Sequence, residues 1–197
     1  MTAHSGLVIW FCGLSGAGKT TIAEAARDCL ETAGCKVLIL DGDDIRDQTV
    51  RPLGFSKADI LENNRMISEL CANNAEDHDV VLVPIISPLK EARDAARARI
   101  GRNFSLLWCN ADIATVEQRD VKGLYALARR GDITDLVGYS PNGVTFERPE
   151  DADIVIDSGR ENLSQSVRKI LDFLSASLPH RLKDVGVCGI DDTGSKR

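Results

Sequence analysis

The chain has 197 residues and a formal net charge of −6, with 43% apolar and 27% charged residues. A chain of this size fits one domain around one core, burying roughly 70% of the surface it would expose when unfolded. Its acidic balance argues against a general nucleic-acid or membrane-surface binder, because such partners reward clustered positive charge, yet a small anion can still be held by a few local cations.

In chain order, Met1–Gly6 carries no basic n-region, and the apolar run Leu7–Cys12 is too short for a signal peptide, so it reads as a buried strand. Ile22, Ala23, Ala26, Cys29 and Leu30 then recur at helical spacing, and Gly34 stops that helix. Val37–Leu40 is a second strand. Ser56 caps a long helix with Ile60, Ile67, Leu70 and Cys71 on one face. Val80–Ile86 is a third strand, and Pro88–Ile100 a helix closed by Gly101. Phe104–Cys109 and Ile154–Ile156 supply two more strands, and Asn162–Leu174 a closing helix.

Strands alternating with helices predict parallel βαβ units, an α/β fold with helices on both faces of one sheet. Residues 120–149 break the alternation, being charged, glycine-rich and short of strand signals, which predicts a lid. One domain is expected over 1–184, with a flexible tail over 185–197. The six cysteines are scattered, without C-x-x-C or histidine at metal-ligand spacing, and read as reduced, mostly buried thiols. No stretch reaches the roughly 18 apolar residues a membrane span needs. The expected location is the cytoplasm.

Gly13-Leu14-Ser15-Gly16-Ala17-Gly18-Lys19-Thr20 fits G-x-x-x-x-G-K-[ST], between a predicted strand and a predicted helix. Glycines let the backbone N–H groups close around phosphates, and the helix dipole stands behind them. Lys19 is expected to reach the β- and γ-phosphates of ATP, and the Thr20 hydroxyl to ligate Mg²⁺. Thr21 faces along the helix or lies near the α-phosphate. The fold class is then the P-loop NTPase fold.

Asp41-Gly42-Asp43-Asp44-Ile45-Arg46 follows the second strand. Alone it is as readily a solvated loop. Beside a P-loop, one carboxylate can organise Mg²⁺-bound water, another can take a hydroxyl proton, and the arginine can hold an anion.

These runs, with Gly54-Phe55-Ser56, Glu62-Asn63-Asn64-Arg65, Ile86-Ser87-Pro88 and Arg119-Asp120-Val121-Lys122-Gly123-Leu124-Tyr125, resemble the adenylylsulfate kinase family in order and spacing over about residues 7–157. The resemblance implies transfer from ATP to the 3′-hydroxyl of adenylylsulfate, on a parallel five-stranded core that is usually dimeric. Carried over by position, Gly13, Ser15, Gly16, Ala17, Gly18, Lys19, Thr20 and Thr21 hold ATP, and Arg119 lies along its base. Asp41 and Thr20 serve the metal, and Asp43 is the base and an acceptor contact. Arg46 binds the phosphosulfate. Phe55 stacks on the acceptor adenine or belongs to the core. Asn63, Ile86, Ser87, Lys122 and Leu124 complete the acceptor side. The family's serine at Ser87 is often described as a covalent phosphoserine, although direct in-line transfer needs no relay.

The resemblance also has gaps. Ile60 stands where the family usually carries an arginine, and Leu89 where it carries a tyrosine. Residues 138–147 replace the common Gly-Ile-Asp-Asp-Pro-Tyr-Glu with a longer run. Such changes suit another nucleotide-linked anion as acceptor, cytidine diphosphoramidate being one example. A binding module using ATP as an allosteric ligand is the alternative of another class.

Overall fold

The structure, a computed structural model, describes residues 6–47, 53–178 and 182. The predicted tail and Cys188 lie outside the described residues.

Five strands, β1 (Leu7–Cys12), β2 (Val37–Ile39), β3 (Val80–Val83), β4 (Phe104–Asn110) and β5 (Ile154–Asp157), form one parallel sheet in the order β2-β3-β1-β4-β5. The central strand β1 is flanked on both sides, and Val8 to Cys12 are wholly buried. Its pleat divides the core. Ile9 and Phe11 face helices α1 (Lys19–Thr32) and α7 (Leu163–Ser175). Val8, Trp10 and Cys12 face α3 (Lys57–Asn74) and α4 (Lys90–Ile100). The expected α/β architecture, with helices on both faces of a five-stranded parallel sheet, is the one found.

Local chemistry sets the element ends. The Ser56 hydroxyl accepts the Asp59 N–H and caps α3, as expected. Asn162 and Gln165 make a reciprocal capping box at the start of α7. β3 stops at Val83 rather than running to Ile86, because Pro84 has no N–H for the ladder. α4 begins two residues after Pro88, since Leu89 is extended, at φ −96° and ψ 130°. Three short helices went unread: α2 (Gly42–Asp47), α5 (Ile113–Arg119) and α6 (Leu124–Arg130). The Asp120 carboxylate holds the first turn of α6, accepting N–H bonds from Tyr125 at 3.0 Å and Ala126 at 2.9 Å. The described cysteines are all buried, and none of them is in a disulfide.

Candidate active site

β1 ends at Cys12, and the next six residues turn around a hollow before α1 starts at Lys19. Gly13 has φ 148°, and a Cβ there would lie 2.5 Å from the Cys109 carbonyl oxygen on β4. No L side chain fits that corner. Gly16 and Gly18 also take positive φ, 76° and 84°, which leaves the loop amides on its concave side.

Lys19 is buried. Its Nζ donates to the Gly13 and Leu14 carbonyls at 3.0 and 2.8 Å, folding the ammonium back over the loop. Burial lowers its pKa from the ordinary lysine value, so the charged form waits for an anion to compensate it. The Thr20 hydroxyl donates to Asp41 Oδ2 at 2.9 Å, while Asp41 Oδ1 accepts the Asp43 N–H at 2.9 Å. A hydroxyl and a fixed carboxylate side by side form an all-oxygen pair of the kind Mg²⁺ takes while keeping several waters.

A cavity of about 1090 Å³ opens above this loop. Ser15, Gly16, Ala17, Gly18, Lys19, Thr20, Thr21, Asp41, Asp43, Arg46, Phe55, Asn63, Ile86, Ser87, Arg119, Lys122 and Leu124 all line it. Gly13 alone of the expected residues does not; it sits beneath, as a carbonyl partner of Lys19. These residues come from the carboxyl ends of β1, β2 and β3, from α1, α2 and α3, and from the α5–α6 region, where ligands of open parallel sheets bind.

The cavity has two unlike ends. Toward β5, the Arg119 guanidinium bridges the Gly16 carbonyl, at 3.5 Å, and the Ser158 carbonyl, presenting a planar cation beside the P-loop. Toward β3, Asp43 meets two cations: Lys122 pairs with Oδ2, and Arg46 Nη1 lies 4.0 Å from Oδ1. The Arg46 guanidinium also lies 4.5 Å over the Phe55 ring. Phe55 is only partly buried, at the edge of a cluster with Ile60, Leu89 and Val137. It therefore belongs both to packing and to the cavity wall. Burial raises the Asp43 carboxyl, but the bond and charge of Lys122, with Arg46 and Lys19, outweigh it and hold Asp43 below the ordinary aspartate value.

Ser87 is fully buried with φ 41°. Its hydroxyl accepts the Trp10 Nε1–H at 3.0 Å and donates its only hydrogen to Asn64 Oδ1 at 2.6 Å. Asn63 is buried, and its Oδ1 has no hydrogen-bond partner among the described residues.

Several contributors were missed. Tyr125, quoted only within its motif, donates its hydroxyl to the Ser15 carbonyl at 2.8 Å, tying α6 to the P-loop. Leu136 and Val137 line the cavity without any local sequence signal, and Ser158 lines it too. Ser158 was discoverable by position alone, since it follows β5.

A phosphate-cradling loop after the central strand, a buried lysine and an acidic pair across one cavity define a P-loop kinase. Comparison with known sequences narrows the class. The chain belongs to the adenylylsulphate kinase family, whose sequence profile matches residues 5–157. It is 41% identical to the adenylyl-sulfate kinase of Picosynechococcus sp. over 172 residues, 87% of this chain and 95% of that one. Among solved structures it is similar to the APS kinase of Mycobacterium tuberculosis in complex with AMPPNP and APS, with a TM-score of 0.79 and 34% identity over 87% of this chain and 98% of that one. The hexameric APS kinase from Thiobacillus denitrificans has a TM-score of 0.62 and 26% identity over 89% of this chain and 30% of that one.

Proposed function

We propose that this chain transfers the γ-phosphoryl group of ATP to the 3′-hydroxyl of adenylylsulfate, giving 3′-phosphoadenylylsulfate and ADP. The observation that carries the reading is one cavity with Lys19 and Asp43 both on its wall, the ammonium on the phosphate loop and the carboxylate beyond it. Relatives named for this activity support the choice of acceptor.

In this reading the amides of the loop between Ser15 and Thr20, with Lys19, neutralise the β- and γ-phosphates, and Gly13 shapes the corner beneath them. Thr20 and Asp41 would hold Mg²⁺, which would spread the charge of the phosphates when bound. Asp43 takes the 3′-hydroxyl proton as the new O–P bond forms and the bond to the ADP oxygen breaks. Arg119 lies along the base of ATP. Arg46 and Lys122 hold the phosphosulfate, Phe55 faces the acceptor adenine, and Asn63, Ile86, Ser87 and Leu124 complete its seat. Ser87 acts as a binder, since its hydroxyl hydrogen is committed to Asn64.

Residues 120–149 are the proposed lid, within one domain spanning 1–184. The chain is proposed to work in the cytoplasm as a homodimer, which sedimentation tests directly. Among the described residues no helix is long and apolar enough to cross a membrane.

A second reading keeps the reaction and changes the acceptor. Ile60 and Leu89, which depart from the family pattern, pack together in one buried cluster with Val137. That apolar wall suits a different nucleotide-linked anion, such as cytidine diphosphoramidate. Purified protein with ATP, Mg²⁺ and each acceptor in turn separates the two. Turnover of adenylylsulfate with 3′-phosphorylated product is expected; turnover of another acceptor alone overturns the first reading.

A further inference from the structure

The segment leaving β3 carries three consecutive carbonyl groups, each held by a different part of the molecule. The Ile86 carbonyl accepts the Gly13 N–H of the P-loop at 3.1 Å. The Ser87 carbonyl accepts Arg93 Nη1 at 2.9 Å. The Pro88 carbonyl accepts the Glu147 N–H at 2.9 Å. Arg93 then closes the circuit, because its Nη2 donates to the Glu147 carbonyl at 2.9 Å.

Glu147 is thus tied down at its N–H, its carbonyl and one carboxylate oxygen. Its N–H and carbonyl are taken, and its carboxylate accepts the Lys90 N–H at 2.5 Å. That last bond caps α4, whose own N-cap residue, Leu89, offers no side-chain acceptor. Ser87 needs holding too. A non-glycine residue at φ 41° keeps a strained backbone only when its surroundings over-determine it. Trp10 and Asn64 fix its hydroxyl, and Arg93 fixes its carbonyl.

Arg93 is almost wholly buried and does not line the cavity, so it cannot touch a bound acceptor. Both named bonds of its guanidinium go to main-chain carbonyls, one on the cavity floor and one on Glu147, 54 residues beyond Arg93 in the chain. The planar fork spans two acceptors in fixed register, which a single ammonium cannot do.

We infer that Arg93 is a positioning residue that locks the Ile86–Ser87 floor of the cavity and the Glu147 end of the 120–149 segment into one rigid unit. It thereby sets acceptor binding without contacting the acceptor. The inference rests on the proposed reading only for the acceptor's identity; the mechanical link stands on the bonds themselves.

The test uses Arg93→Lys and Arg93→Met in the full chain. Arg93→Lys keeps the charge and the stem and so retains the fold. The KM for adenylylsulfate is expected to rise about tenfold in both, the loss of one charge-assisted bond, with the KM for ATP changed by less than about twofold. Hydrogen–deuterium exchange, read without any acceptor, is expected to quicken together in peptides covering 86–89 and 138–147. A wild type that leaves adenylylsulfate untouched while exchange quickens as stated overturns the proposed acceptor and supports the link. Unchanged exchange in both peptides, or equal rises in both KM values, overturns the positioning role.

Discussion

The Lys122 ammonium and the Asp43 carboxylate form an ion pair at the cavity wall, joining a residue before α6 to one in α2, 79 positions earlier. The proposed base is therefore held by the proposed lid before any acceptor arrives. In the proposed reaction an incoming phosphosulfate would compete for the same ammonium, and its capture of Lys122 would free Asp43 when a proton acceptor is needed. Lys122→Met is expected to raise the acceptor KM by about ten- to a hundredfold, the worth of one charge-assisted bond, while ATP binding is kept. It also changes the pH profile. Without Lys122, burial is less opposed and the Asp43 carboxyl rises. Because the base works ionised, the acid limb of kcat/KM moves to higher pH. A limb that stays in place in a pH–rate series would detach Asp43 from the proton transfer.

Asp43→Asn keeps the shape of the α2 turn, since the Asp43 N–H still reaches Asp41. It removes the proposed proton acceptor. The expected result is a kcat lower by about 10²–10⁴ with ATP affinity intact, the usual range for a lost general base. Equilibrium binding beside steady-state rates checks it, and a variant that still turns over normally removes Asp43 from the chemistry.

Lys19 links function to stability with opposite signs. Its pKa is lowered in the folded chain by burial. Between that value and the unfolded lysine's, the unfolded chain binds the extra proton, so stability rises with pH in this window. ATP affinity falls over the same window as the ammonium is lost. Lys19→Met removes both dependences and costs on the order of 10²–10³ in rate. Denaturant melts of the two proteins at stepped alkaline pH read the first effect; a wild-type advantage that shrinks as pH rises contradicts it.

Much of this was legible. β1, β4 and β5 announce themselves as apolar runs, and the loop from Gly13 to Thr20 by glycines that take positive φ, Gly13 also pressing against β4. α2, α5 and α6 were not legible because six or seven residues are too few to show a 3.6-residue period. The unread parts of the site are non-local. Tyr125 meets Ser15, Arg93 meets Glu147, and Ile60 meets Val137 only once the sheet has brought distant segments together. The acidic run after β2 could be read for chemistry but not for geometry, since nothing local signals that Lys122 returns to Asp43.

Gly13→Ala isolates the cost of the P-loop corner. The added methyl would sit 2.5 Å from the Cys109 carbonyl oxygen, backbone against backbone, at φ 148° where L residues are strained. Neither strand can yield, since Cys12 and Cys109 are both buried within the sheet. Loss of the folded chain at 37 °C, or a melting temperature well below wild type, is expected by circular dichroism. Normal melting with normal turnover would show that the loop tolerates a Cβ there.

Ile60 tests how the altered acceptor wall works. It lies in the first turn of α3, packs with Leu89, Ala92 and Val137, and also lines the cavity beside Asn63. Ile60→Arg forces a longer side chain into that cluster, and overpacking of this kind costs about 1–3 kcal/mol, a few degrees of melting temperature at this chain length. The guanidinium has an outlet into the cavity that Ile60 lines. Its stem can cover the apolar wall while the head extends into the cavity, which Arg46 also lines. There it adds a third cation, beside Arg46 and Lys122, for an anionic acceptor, so the KM for adenylylsulfate is expected to fall about tenfold, one charge-assisted bond, as the protein loses stability. The ATP KM stays constant because Ile60 is on α3, away from the Arg119–Ser158 end. A lower melting temperature with an unchanged acceptor KM would mean that Ile60 serves packing alone and that the acceptor's acidic end binds elsewhere in the cavity.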